Sequence, residues 1–139
     1  VNKNDRLTLE PKNVSYDEAY VFSQDAGKVI NDNKIRFEEN VYVIIEGLKG
    51  FRETDGLVFP GLSLKALDSS GNLILDYTDM FSEYNETGVQ TQDLAARVSA
   101  HFRISGINFN NPMQLEMLVW DKKSDANLKV KTELEVIKE

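Results

Sequence analysis

The chain of 139 residues contains no cysteine and only one histidine, His101. Without cysteine it can form no disulfide, no thiolate metal site and no cysteine nucleophile. A single histidine argues against a nucleophilic triad and against a histidine-rich metal site. The sequence motifs of phosphate loops, dinucleotide sites and zinc proteases are also missing. We therefore expect a protein that is not an enzyme and that uses no cofactor.

Clustered basic residues and long apolar runs are lacking as well. The formal net charge is −7, and no basic patch of the kind that binds a phosphate backbone is present. The longest apolar run is Val41–Ile45, which is far shorter than the roughly 20 residues that cross a bilayer. We expect no nucleic-acid partner and no transmembrane segment.

The chain has the length of one ordinary domain, and no linker or repeat divides it. We expect a single domain over residues 1–139. Its polar start, which has no methionine and no apolar leader, indicates a processed precursor. Residues 1–5 are interpreted as a flexible N-terminal tether, and a lipid anchor in the precursor or an experimentally chosen boundary both stay open.

Alternation of apolar and polar residues predicts strands that have one face in water. The alternation is clearest over Arg97–Ile104, and it recurs over Leu128–Ile137. Asn40–Leu48 and Gln114–Asp121 are apolar on both faces and predict central strands. A helical turn could begin at Asp93, but the alternation that follows favours a strand.

The strongest local pattern is a hairpin over Leu62–Tyr77, with its turn at Asp68–Asn72. Shorter strands are predicted at Arg6–Glu10 and at Ala19–Ser23. Seven or eight strands, separated by turn-rich connections of roughly ten-residue spacing, indicate an all-β protein. We predict a two-sheet antiparallel immunoglobulin-like sandwich, with a closed barrel as the alternative.

The last predicted strand carries charged residues on its polar face: Lys129, Lys131, Glu133 and Glu135. Charged side chains protect an edge strand against pairing with another chain. This pattern favours a monomer.

One candidate contact surface is the loop Gly47–Leu64, which is rich in glycine and yet carries Phe51 and Phe59. Bulky apolar groups are usually buried, so we expect both rings to cover the end of the sandwich, with Leu57–Phe59 as a short strand. The alternative is an exposed apolar patch that binds a partner.

The other candidate is the loop Asp76–Gly88, which mixes acids with aromatic rings. Phe81 and Tyr84 are candidates for contact with a ligand or partner, because β-sandwiches bind sugars and peptides on aromatic platforms. Carboxylates are the ligands that calcium prefers, although the spacing matches no calcium loop. The candidate calcium ligands are Asp76, Asp79 and Glu83.

Three further side chains have structural interpretations. We expect His101 on the solvated face of its strand, Tyr77 in the core, and Trp120 in the core or at the end of its sheet.

Four segments occur in a recognisable order between residues 40 and 136: NVYVIIEGLKGF, DGLVFPGLSL, DSSGNLILDYTDMF and MLVWDKKS. This order resembles small immunoglobulin-like β-sandwich domains of uncharacterised exported or lipid-anchored proteins from gut Bacteroidetes. The resemblance implies an exported module in the periplasm or at the cell surface, and it transfers no catalytic residues.

Three functions are consistent with these features. The first is a non-catalytic interaction or spacer domain at the cell envelope, with an unknown protein or glycan as its partner. The second is a carbohydrate-binding module that uses Tyr84, Phe81 and nearby acids. The third is a calcium-dependent adhesion module, for which calcium would raise the melting temperature.

Overall fold

The computed structural model describes residues 7–105 and 109–137. The strands are β1 (Thr8–Lys12), β2 (Glu18–Ser23), β3 (Lys28–Ile30), β4 (Lys34–Arg36), β5 (Val41–Glu46), β6 (Leu57–Val58), β7 (Pro60–Leu67), β8 (Leu73–Tyr77), β9 (Val89–Gln90), β10 (Val98–Phe102), β11 (Met113–Asp121) and β12 (Asn127–Ile137). A short helix, α1 (Thr91–Ala96), and a 3-10 turn (Ser82–Tyr84) accompany them. The tether expected at residues 1–5 lies outside the described residues.

Two sheets form the sandwich. The larger has the order β1-β12-β11-β7-β8, with β4 also paired to β12, and the smaller has the order β10-β5-β2-β3. Strands β6 and β9 form a separate two-stranded ribbon. The smaller sheet contains β5 and β10, whereas β7, β11 and β12 belong to the larger one. This division is that of an immunoglobulin-like sandwich, so the predicted fold class is confirmed.

The strands outnumber the seven or eight that the sequence predicts. β3 and β4 have three residues each, and β9 has two, which is too short for alternation to be visible. The pairing of β4 with β12 is parallel, unlike the other strand pairs. The stretch after Asp93 is helical as far as Ala96, and the alternating strand begins only at Val98. In the described part of the chain, no helix is long and apolar enough to cross a membrane.

The core lies between the inner faces of the two sheets. Alternate residues of the long strands are buried, and in β11 and β12 they are Met113, Leu115, Met117, Val119, Leu128, Val130, Leu134 and Val136. The strand register places Met117 between Leu64 of β7 and Val130 of β12. Inward side chains of neighbouring strands therefore form continuous rows that pack against the facing sheet.

β12 lies inside the larger sheet, between β11 on one side and β1 and β4 on the other. Its outward charges pair with neighbouring strands: the Lys131 ammonium is 3.4 Å from the Glu10 carboxylate, and Lys129 is 3.9 Å from Glu116. These charges protect no edge strand, and they therefore do not favour a monomer.

The hairpin of β7 and β8 is confirmed, but the sequence pattern wrongly predicts that its last residue, Tyr77, is buried. The Asp68 carboxylate organises the turn by accepting the backbone N–H groups of Ser70 and Asn72, at 3.0 Å and 2.9 Å. Tyr77 is 45% exposed instead of buried in the core. The physical reason is that β8 is the outermost strand of its sheet, with β7 on one side only.

Trp120 lies near the end of β11, on the outer face of the larger sheet, and is partly buried. It stands opposite Gly61 of β7. A Cβ atom on Gly61 would lie 2.2 Å from the indole ring, so the ring fills the space above the glycine backbone. The position at the sheet end agrees with one of the two expectations for this residue.

Candidate functional site

The aromatic candidates from the two loops are all partly buried. Phe51 and Phe81 pack against the core. The rings of Phe81 and Tyr84 meet edge to face, with 5.9 Å between their centroids. The Phe59 ring lies beneath the Lys123 ammonium, at 4.9 Å from the ring centroid. Each ring therefore has a partner within the chain, and the rings do not form one exposed apolar patch.

The loop Gly47–Leu64 contains the expected short strand. Leu57 and Val58 form β6, which pairs with Val89 and Gln90 of β9. This ribbon links the loop to the segment that follows the acidic loop. The loop is therefore a structural part of the sandwich end.

Asp79 connects the acidic loop to the rest of the domain. Its carboxylate accepts the backbone N–H groups of Leu62 and Phe81, at 3.2 Å and 3.0 Å. The ammonium of Lys122, in the turn between β11 and β12, is 2.6 Å from the same carboxylate and also donates to the side chain of Asn85. This ion pair holds two loops together.

The candidate calcium ligands are not brought together. Asp79 is bound to Lys122, Asp76 lies opposite Lys65 on the neighbouring strand, and Glu83 is exposed in the 3-10 turn. Within residues 7–105 and 109–137, no group of three or more His, Asp or Glu side chains is arranged to hold a metal ion. Calcium takes about six to eight oxygen ligands, and the geometry of this loop does not provide them.

We expect the ion pair of Asp79 to make the domain less stable in acid. Burial raises the pKa of Asp79, but the hydrogen bonds from Lys122, Phe81 and Leu62 outweigh burial and hold this pKa below its ordinary value. The resulting stabilisation is complete above the pKa of the unfolded chain, about 3.9, and is lost as the pH falls through the lower folded value. Urea unfolding of wild type and Asp79→Asn at a series of pH values measures this effect. Below about pH 4 the wild type should lose more stability than the variant, and identical pH profiles would contradict the assignment.

A site that the sequence pattern did not reveal lies on the outer face of the smaller sheet. Tyr20 and Phe22 of β2 and Tyr42 and Ile44 of β5 are on the outer face of the sheet, because the intervening residues of both strands point into the core. Tyr20 and Ile44 are buried there, each at 5% exposure, whereas Phe22 and Tyr42 are half-buried. Together with Gln24, Arg97 and Ser99 they line a groove of about 350 Å³. We call this surface the outer-face groove.

The antiparallel register sets the groove residues in two rows across the sheet. In one row, Ser99 of β10, Ile44 of β5 and Tyr20 of β2 are direct neighbours. In the other row, His101, Tyr42 and Phe22 are neighbours in the same way. Since adjacent rows are two residues apart along each strand, they are separated by roughly 7 Å.

Polar groups surround Tyr20 at one end of the groove, which is formed by the row of Ser99, Ile44 and Tyr20. The Tyr20 hydroxyl donates to the Glu46 carboxylate at 2.5 Å. The guanidinium of Arg97 is 3.6 Å from the same carboxylate. These contacts fix the orientation of the Tyr20 ring and leave charged groups of both signs at this end.

The other end of the groove is formed by the row of His101, Tyr42 and Phe22, and Tyr42 is in contact with polar groups there. Its ring lies 4.8 Å from that of His101, with a tilt of 36° between the planes. His101 Nε2 is 3.0 Å from the side-chain oxygen of Asn40, and the Tyr42 hydroxyl is 3.4 Å from the side-chain oxygen of Gln24. His101 is exposed, as expected. The groove thus has aromatic walls and hydrogen-bonding groups at both ends.

The sequence pattern indicates which residues of each strand face outward at this site, but it does not indicate that the two strands are neighbours. Tyr20 and Phe22 alternate with residues that face the core in a predicted strand, and Tyr42 does the same in β5. The pattern does not say that β2 and β5 are neighbours, because they belong to no hairpin with a short turn. Without that pairing, the rings of two strands cannot be recognised as one surface.

The fold and the groove define the class of the protein: an immunoglobulin-like β-sandwich with an aromatic surface on one sheet. No family model and no curated protein matches the chain. Among solved structures, it is similar to the C-terminal domain of wzt, with a TM-score of 0.61 and 7% sequence identity over 96% of this chain and 79% of that one. At this identity the similarity shows the fold alone. A superoxide reductase (neelaredoxin) from Ignicoccus hospitalis aligns over 91% of this chain and 82% of its own, with a TM-score of 0.44 and 6% identity, which is too small a likeness to support any inference.

Proposed function

We propose that this chain is a non-catalytic binding module that binds its ligand in the outer-face groove. The proposal rests on the half-buried aromatic rings of Phe22 and Tyr42 on the outer face of the smaller sheet, beside the buried ring of Tyr20. The solvated face of an antiparallel sheet is normally polar. A cluster of aromatic side chains there marks a binding surface, particularly when polar groups surround it.

The ligand class that fits the groove best is a neutral saccharide. Sugar rings present C–H faces that pack against aromatic rings, and their hydroxyls form hydrogen bonds with polar groups at the rim. The groove provides both, since Glu46, Arg97 and Gln24 lie next to the rings of Tyr20 and Tyr42. The net charge of −7 disfavours a polyanionic ligand. This proposal keeps the carbohydrate-binding function and moves its site from Phe81 and Tyr84 to the sheet.

We further propose that the module is exported and acts at the cell envelope, on a glycan or a glycan-bearing protein. The resemblance of its segment order to exported β-sandwich domains supports this location. The non-catalytic role is supported by the single histidine, His101, whose ring contacts Tyr42 and Asn40. Recovery of the full-length precursor in the cytoplasm after cell fractionation would contradict the location.

Tyr42→Ala is expected to abolish or strongly weaken saccharide binding. Tyr42 lies in the middle of its row and belongs to both the aromatic wall and the polar end, so its loss should raise the dissociation constant by at least about tenfold. A glycan array identifies the ligand, and titration calorimetry measures the dissociation constant. Tyr84→Ala is the matched control, because it removes the same side chain from the acidic loop. Circular dichroism and thermal melting confirm that both variants fold.

The two variants separate the possible outcomes. Loss of binding with Tyr42→Ala alone supports the outer-face groove. Loss with Tyr84→Ala alone places the site in the acidic loop. Wild-type protein that binds no saccharide on the array overturns the carbohydrate assignment and favours an interaction or spacer domain with a protein partner.

A further inference from the structure

His101 and Asn40, at the Tyr42 end of the outer-face groove, form a hydrogen bond whose direction is set by a third residue, Asp25. The Asn40 side chain carries an oxygen that only accepts and an amide group that only donates. Its amide group faces the Asp25 carboxylate, with 3.2 Å from Nδ2 to Oδ1. The backbone N–H of Asn40 donates to the other oxygen of the same carboxylate, at 2.8 Å. Asp25 therefore holds Asn40 in one orientation.

The Asp25 carboxylate can hold this orientation because it stays ionised at neutral pH. The backbone and side-chain hydrogen bonds from Asn40 hold the pKa of Asp25 below its ordinary value. An ionised carboxylate accepts hydrogen bonds and donates none. The amide group of Asn40 must therefore face Asp25, and the side-chain oxygen of Asn40 must face His101.

This arrangement fixes which nitrogen of the His101 ring carries the proton when the ring is neutral. Nε2 lies 3.0 Å from the Asn40 side-chain oxygen, and an oxygen that only accepts requires a donor. In a neutral imidazole one nitrogen donates and the other accepts. Nε2 is therefore the protonated nitrogen, and Nδ1 carries the lone pair. Within residues 7–105 and 109–137, Nδ1 has no hydrogen-bond partner.

The His101 ring extends the aromatic surface of the groove. It is exposed, it is the neighbour of Tyr42 in their row, and the two ring centroids are 4.8 Å apart. We propose that Asn40 and Asp25 are positioning residues that present Nδ1 of His101 as the acceptor for one hydroxyl of a saccharide in the outer-face groove. This role rests on the proposed function for its ligand, whereas the tautomer that it requires is a property of the free protein.

An acceptor at a fixed position selects among saccharides. A sugar that has a hydroxyl at the matching position donates to Nδ1, whereas a sugar that lacks this hydroxyl leaves the lone pair without a donor. Because His101 is exposed to water, the loss should equal that of one ordinary hydrogen bond, about three- to tenfold in the dissociation constant. His101 therefore sets the preference for one hydroxyl of the saccharide.

Nitrogen-15 NMR of the free protein tests the tautomer directly. His101 is the only histidine of the chain, so its two ring nitrogens are assigned without ambiguity. At a pH at which the ring is neutral, wild type should carry the proton on Nε2, whereas Asn40→Ala and Asp25→Ala should each give a mixture of both tautomers. Asp32→Ala is the matched control, because the Asp32 carboxylate also accepts a backbone N–H, that of Lys34 at 3.1 Å. It should leave the tautomer of His101 unchanged.

Titration calorimetry tests the hydrogen bond to the saccharide. The probes are a neutral disaccharide that wild type binds on the glycan array and its monodeoxy derivatives, each of which lacks one hydroxyl. One derivative should bind wild type about three- to tenfold more weakly than the parent disaccharide. His101→Ala should bind this derivative and the parent with equal affinity, because the acceptor is gone. Arg103→Ala is the control: Arg103 follows closely on the chain but is paired with Glu38, so the difference should persist.

Each contrary result overturns a stated part of this role. A proton on Nδ1 in wild type, or an unchanged tautomer in both Asn40→Ala and Asp25→Ala, overturns the positioning role. If His101→Ala distinguishes the derivative from the parent as wild type does, the acceptor role is wrong while the groove, tested by Tyr42→Ala, stands. Wild type that binds no saccharide overturns the acceptor role together with the proposed function. Circular dichroism checks that the variants fold.

Discussion

Asp121→Ala is expected to lower the free energy of unfolding by about 3 to 5 kcal/mol. The Asp121 side chain is only 2% exposed. Its carboxylate accepts the backbone N–H groups of Arg52 and Lys123, at 2.7 Å and 2.9 Å, and the hydroxyl of Ser124 at 2.6 Å. Alanine would leave three partly buried donors without an acceptor. Each such loss costs about 1 to 3 kcal/mol for a buried donor, and the exposure of Arg52, Lys123 and Ser124 places the sum at the low end of the expected total.

Asp125→Ala provides the matched control for this prediction. Asp125 lies in the same turn but is exposed, and its ion pair with Lys12 is long, at 3.8 Å, with 60% and 69% of the two side chains in solvent. Exposed pairs of this kind contribute less than about 1 kcal/mol. Urea unfolding measures all variants, and Asp121→Asn should fall between wild type and Asp121→Ala because it keeps one acceptor oxygen. Equal stability of Asp121→Ala and Asp125→Ala would show that the hydrogen bonds of Asp121 do not hold the loop that contains Arg52 to the turn between β11 and β12.

Gly61→Val is expected to destabilise the domain by about 2 to 3 kcal/mol. Valine is normally favoured in strands, so strand propensity alone predicts the opposite sign. The reason for the expected loss is Trp120, whose indole ring lies 2.2 Å from the position of a Cβ atom on Gly61. The ring must move away, and its packing on the sheet is lost.

Ser63→Val and a double variant complete this test. Ser63 lies two residues along the same strand on the same outer face, opposite Leu118, and Ser63→Val should be neutral or slightly stabilising. In a background of Trp120→Ala, Gly61→Val should cost much less than in wild type, because the ring that it displaces is gone. Thermal melting of wild type, Gly61→Val, Trp120→Ala and the double variant measures the coupling between the two positions. Additive effects would contradict direct contact between the ring and position 61.

Sequence patterns identified the strands wherever one face of a strand is exposed to water over at least five residues. The segment around Ala100 alternates cleanly because the inner face of β10 contacts the core and its outer face contacts water. Short strands such as β4 were missed because three residues cannot display a period. The helical turn that could begin at Asp93 was set aside in favour of a strand, because the six residues of α1 are fewer than the length over which a helical period becomes visible.

Contacts between distant parts of the chain were beyond prediction from a single sequence. The Asp121 carboxylate binds the N–H of Arg52 across 69 residues, and Asp121 in the sequence is one acid among several near a turn. Tyr77 was assigned to the core by its parity, which is correct for the face of the strand. Parity does not tell whether the strand is central or at an edge, and this difference leaves Tyr77 exposed.

The strand that carries Tyr42 belongs both to the outer-face groove and to the core of the domain. Tyr42 lies between Val41 and Val43, which are fully buried in the core, so the strand that faces the proposed ligand on one side contacts the core on the other. Segments of this kind exchange their amide protons only when the whole domain unfolds. Under the proposed function, little conformational entropy should therefore be lost on binding, and a bound ligand should raise the melting temperature of the entire domain instead of ordering a mobile loop.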